Sequence, residues 1–168
     1  MRPPLSTLGI LHTAISLIPL VAGLVAFAHH RRILPATASG RVYLAGLALS
    51  VLTAFGLSST GGFNPGHALG LLTLLVAGGS LAIPRLSLLG RARPYLATLG
   101  LSFTFFLLLV PGINETLTRL PTGHPLANGP ESPLVKAALL GWLTLFAFGA
   151  LVQMLVLRAS LSRSQAST

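Results

Sequence analysis

The chain has no cysteine, and only two of its 168 residues, Glu115 and Glu131, are acidic. The first absence excludes disulfides, thiolate metal sites and thiol catalysis. The second works against carboxylate acid/base chemistry, because neither acid lies inside an apolar run. Charge of either sign is scarce: 8% of residues are charged and 52% are hydrophobic, where a soluble domain carries about a quarter charged. So few charges cannot coat a water-facing surface, and lipid must cover most of it. The net charge of +9 is no nucleic-acid signature, since no Lys/Arg cluster is interleaved with exposed aromatics. A Gly-rich phosphate loop, an HExxH string, a Ser-His-Asp arrangement and an internal repeat are all missing.

What the chain does have is long apolar runs. A membrane-crossing helix needs about 20 apolar residues at 1.5 Å each. Runs at 8–28, 42–60, 65–83, 94–114 and 137–157 meet this. The fold class expected is therefore all-α: a polytopic transmembrane helical bundle of five spans in one membrane domain covering 1–168. The connection 115–133 holds Leu120-Pro121-Thr122-Gly123-His124-Pro125 and Asn128-Gly129-Pro130, which is turn chemistry, and is expected to be an extracytoplasmic loop. Residues 159–168 are expected to form a flexible cytoplasmic tail.

Charge placement sets the orientation, because short cytoplasmic loops hold the excess of Lys and Arg. Eight of the eleven basic residues, Arg31, Arg32, Arg41, Arg85, Arg91, Arg93, Arg158 and Arg163, fall on one side. Arg2, Arg119 and Lys136 fall on the other with both acids. The expected topology is N-terminus out and C-terminus in. All but one of the basic residues are Arg, and with abundant Ala, Leu and Gly this points to a bacterial inner membrane. Ala26-Phe27-Ala28 has the form of a signal-peptidase site. The apolar run before it is too long for a signal peptide, and His29-His30-Arg31-Arg32 follows at once. The segment reads as a retained first helix, with the basic string marking its cytoplasmic end or holding anionic headgroups.

In lipid, close backbone approach and polar contacts hold helices together. The second span places Gly46, Ser50, Ala54 and Ser58 along one stripe, and the third begins with Gly66 and Gly70. These are the expected packing seams, toward helix neighbours or toward a second copy. The first span has a stripe of its own, Gly9, His12, Ser16, Pro19 and Gly23, which turns His12 into the bundle. Gln153 and Thr144 suit interhelical hydrogen bonds.

Ionisable groups inside spans are costly and by default suggest a functional site. His12 lies roughly 6–10 Å inward from the start of its helix, and His67 lies near the start of the third span on the same side. Glu115, Asn114 and His124 belong to that side too. Four uses of this convergence compete. His12 and His67 are the cofactor-binding pair if a single b-type haem sits between two facing helices. With Glu115 they are the metal ligands if the site holds zinc for a hydrolase, water completing the shell. His12 is a relay if a proton or small solute passes. Otherwise the two histidines are hydrogen-bonded structural residues.

The stretch from His12 to Gly23, followed by Gly40-Arg41-Val42-Tyr43, resembles a group of bacterial predicted multi-span membrane proteins of unknown function. These pair an early His with a late Gly in one span and open the next with a Gly-Arg-Val-Tyr-like string. Ala38-Ser39 stands here where the group often has a His-Arg pair. The resemblance implies a multi-span bundle and no particular chemistry. The leading expectation is a non-enzymatic membrane component with a polar pocket around His12 and His67, working with lipid, with itself or with a membrane partner. A single-haem redox protein is the alternative.

Overall fold

The computed structural model describes residues 6–57 and 62–166. Helices account for most of them: α1 (Thr7–His30), α2 (Ala38–Ala54), α3 (Pro65–Ala82), α4 (Arg93–Arg119) and α5 (Pro133–Ala166). Two 3-10 segments, Ile83–Arg85 and Ser87–Ala92, join α3 to α4. The protein is an all-α helical bundle.

Local chemistry sets the helix starts. Ser6, Thr37 and Asn64 cap α1, α2 and α3, their side-chain oxygens accepting from the N–H groups of Gly9, Gly40 and His67 at 3.1 Å each. Each cap satisfies one of the backbone donors a helix start leaves open. Pro65 occupies the first turn of α3, where its missing N–H costs nothing. Gly40 is needed for a different reason, since a Cβ there would run into the Leu34 carbonyl.

Helix ends differ from those expected. The second span was expected to reach residue 60, but α2 stops at Ala54 and the chain turns at Phe55-Gly56. At that end the Ala54 carbonyl accepts from the Leu57 N–H at 2.9 Å and lies 3.2 Å from His67 Nε2 of α3. The fourth helix continues past 114 to Arg119, through Pro111, so the loop expected from 115 begins at Leu120. The tail expected to be flexible from 159 is helical as far as Ala166.

Four stretches, Thr7–His30, Pro65–Arg85, Ser87–Arg119 and Pro133–Arg163, are long and apolar enough to cross a membrane. α2 is apolar but shorter, at 17 residues. Leu140, Phe148, Leu151 and Leu155 of α5 are all more than half exposed, as are many large apolar side chains on the other helices. Such a surface suits hydrocarbon, and the protein is a multi-pass membrane protein.

α1 packs most extensively on α2, α3 on α4 and α4 on α5; smaller α2–α3 and α1–α4 contacts close the bundle. α5 stands outside it, touching mainly α4. Tyr43, Leu47, Ala26 and Phe105 lie at the centre. Phe105 meets Phe27 edge to face at 5.1 Å and Tyr43 at 6.3 Å.

Candidate functional site

The polar residues gather where α1 begins, α2 ends and α3 begins. His12 Nδ1 lies 2.9 Å from Thr53 Oγ1. The Thr53 hydroxyl donates its proton to the backbone, to the carbonyls of Leu49 at 2.9 Å and Ser50 at 3.0 Å. Nδ1 must therefore be the donor, which leaves Nε2 of His12 as the bare nitrogen. One turn on, Ser16 donates to the His12 carbonyl at 2.8 Å and meets Ser50 Oγ at 2.6 Å, so Ser50 donates to Ser16. The Ser16 oxygen approaches His12 Nε2 no closer than 3.5 Å. A ladder of hydroxyls and one imidazole thus runs down the α1–α2 seam.

His67 is held differently. It is buried, stacked on Phe55 with ring centroids 4.9 Å apart and met on edge by Phe63 at 5.7 Å. A carbonyl can only accept, so its Nε2 carries the proton given to Ala54. The two imidazoles are thereby engaged on two consecutive residues of α2, Thr53 and Ala54.

The expected site residues therefore divide. α1 and α3 share no extensive contact, with α2 as their common neighbour, and His67 Nε2 lies 3.2 Å from the Ala54 oxygen. Glu115 forms an ion pair with Arg119 along α4. His124 is exposed in the loop, and Asn114 Oδ1 is buried without a partner. Among the described residues no group of three or more His, Asp or Glu gathers to hold a metal. The zinc set of His12, His67 and Glu115 is therefore not assembled.

The packing residues divide as well. A Cβ on Gly46 would sit 2.8 Å from the Pro19 ring and 3.1 Å from Ile18, so Gly46 is where α2 lies against α1. Ser50 follows on that seam, and Ala54 gives its carbonyl to His67. A Cβ on Gly70 would meet Val51 of α2 at 3.0 Å, whereas Gly66 faces only its own cap, Asn64. Ser58 lies outside the described residues.

Two further polar links join helices whose pairing carries no local signal in the chain. Tyr43, fully buried, donates to Thr104 Oγ1 at 2.7 Å, and Thr104 passes its own proton to the Leu101 carbonyl. Gln153 of α5 accepts from Ser102 at 2.7 Å and donates to the Arg31 carbonyl at 2.6 Å. Arg31 ends α1 in the left-handed region at φ 58°, a conformation with a steric cost for any residue but glycine. Gln153 holds it from across the bundle.

No family model, curated protein or solved structure matches the chain.

Proposed function

We propose that the protein is a non-enzymatic, multi-pass component of a bacterial inner membrane, with its N-terminus outside and C-terminus inside, that works by assembling with itself or a membrane partner. In this reading the His12–His67 end is a hydrogen-bonded lock on α2. The observation that carries it is the engagement of both imidazoles by consecutive residues, Thr53 and Ala54, at 2.9 and 3.2 Å. A ligand or relay site leaves its working nitrogens facing a shared space. Here one of them caps a helix end. The Arg-rich helix ends and the apolar surface support the location and the orientation.

The test is spectroscopic and thermal. Purified protein supplied with haem b is expected to show no bound Soret band. His12→Ala and Thr53→Val are each expected to keep their helicity and lose about 0.6 kcal/mol of stability, at most ~1.7, the range of interhelical hydrogen bonds in membranes. A Soret band abolished in both His12→Ala and His67→Ala would overturn the proposal in favour of a haem protein.

A further inference from the structure

The other end of the bundle holds a feature that the histidines do not explain. Between α3, α4 and α5 runs an open, almost wholly apolar cavity of about 450 Å3, lined by Val76, Gly79, Leu96, Leu99, Phe103 and Phe146 among others. Its size falls within the roughly 300–1,000 Å3 of small-ligand pockets. At the chain reversal beside it lies a second, more polar recess of about 330 Å3, formed by Pro84, Gly90, Arg93 and Pro94. Ile83 and Leu96 line the first and Pro84 and Pro94 the second, so the two adjoin along both strands of the connection.

Arg93 is fixed in the polar recess. Its Nε donates to the Gly90 carbonyl at 3.0 Å and its Nη1 to the Pro84 carbonyl at 3.3 Å. A guanidinium has five N–H donors, so these bonds orient the fork without exhausting it. Gly90, at φ 46°, supplies the reversal that brings its carbonyl to Arg93, a conformation suited to glycine. Arg85 and Arg91 belong to the same connection, and α4 begins there without a side-chain N-cap, an end that favours negative charge.

No acidic side chain answers these cations. Glu115 and Glu131 are the only acidic side chains. They pair with Arg119 and Lys136 at the opposite end of the bundle. The acidic side chains thus leave the guanidinium of Arg93 unneutralised beside an open, apolar groove.

We propose that this is a binding site for one anionic phospholipid, its phosphate on Arg93 with Arg85 and Arg91 around it, and one acyl chain laid in the α3–α4–α5 groove. The groove sets a lipid apart from free phosphate, and the arginines set an anionic lipid apart from a zwitterionic one. Neither the orientation of the protein nor the role of His12 enters this assignment.

Native mass spectrometry of the detergent-purified full chain tests it, with phosphatidylglycerol, phosphatidylcholine and inorganic phosphate as probes. One phosphatidylglycerol per chain should be retained in preference to phosphatidylcholine. Arg93→Gln should weaken that retention about fivefold, the factor expected of one basic residue at an anionic surface. Arg119→Gln, at the far end, should leave it unchanged. A Cβ on Gly79 would meet nothing within 4 Å, so Gly79→Leu should occupy the groove and displace the lipid; if that variant does not fold, Arg93→Gln still decides. Equal retention of phosphatidylcholine, full competition by inorganic phosphate, or equal loss in Arg93→Gln and Arg119→Gln would each overturn the proposal.

Discussion

The α1–α2 seam and the attachment of α5 are two solutions to the same problem, that of holding helices together where lipid is as apolar as the side chains. At the first, backbones approach: Gly46 lies against Pro19, and a ladder of His12, Thr53, Ser16 and Ser50 fills the space between. At the second, side chains reach. Trp142 donates its indole N–H to the Phe106 carbonyl at 3.1 Å and stacks on the Phe106 ring at 6.1 Å. Gln153 spans to Ser102 and Arg31. A Cβ on Gly141 or Gly149 of α5 would meet nothing within 4 Å, so small residues on α5 do not bring it closer to its neighbour. The presence of glycines in a span therefore does not identify a seam. What identifies one is a glycine whose missing Cβ is already occupied by a neighbour.

The two seams should fail in different ways. The largest effect is expected from Gly46→Leu, which drives a branched side chain into Pro19 and Ile18. Overpacking of this kind typically costs 1–3 kcal/mol and occasionally more, and about 3 is expected here, read as a lowered Tm in detergent. Gly149→Leu, with open space around it, should shift Tm little. If the two substitutions cost the same, the distinction between the seams is wrong.

Gln153→Leu should come next. It leaves the Arg31 carbonyl without its side-chain donor and Ser102 without its acceptor, a loss of about 1–3 kcal/mol for buried groups left unsatisfied. It should also loosen α5 before the rest of the bundle. Amide hydrogen exchange that rises in α5 and at the end of α1, with the α1–α2 seam still protected, is the expected pattern. Uniform exchange throughout would show that the seams are not independent.

The smallest effect belongs to the loop before α5. The Lys136 ammonium, 2.8 Å from Glu131, holds that carboxyl below the usual carboxylate range through its hydrogen bond and its charge. A lowered folded-state value means that the stabilisation is fully present above the ordinary carboxylate range and is lost as pH falls through the lowered value. The group is fully exposed, so screening leaves little of it. Glu131→Gln at neutral pH should not move Tm measurably, and a clear drop would mean that α5 depends on its first turn.

Much of this architecture is legible in the residues. Apolar runs bounded by Arg and by Pro/Gly strings locate the helices, and Ser6, Thr37 and Asn64 each stand one residue before a helix start. The stripe from Gly9 to Gly23 turns His12 toward a neighbour because helical spacing alone fixes a face. Partners across helices are a different matter. Nothing within α1 indicates that His12 meets Thr53, and nothing in α3 indicates that His67 caps α2 rather than joining His12. The early end of α2 is hidden too: its apolar run continues beyond Ala54, and the last carbonyl is taken up by the Leu57 N–H of the following turn and by an imidazole from another helix. The positive φ of Arg31 had no glycine to announce it, since the residue that holds it lies on α5.

The unequal lengths of the helices bear on the membrane itself. α2, with 17 residues, covers about 26 Å at 1.5 Å per residue, less than the ~30 Å hydrocarbon slab. α5, with 34 residues, extends about 51 Å, beyond both headgroup layers. A bilayer meeting this surface is drawn thinner over α2 than beside α5, at a cost of fractions of a kcal/mol per ångström of mismatch. The bundle is in this sense uneven, and its shortest helix ends where the buried ring of His67 meets the Ala54 carbonyl.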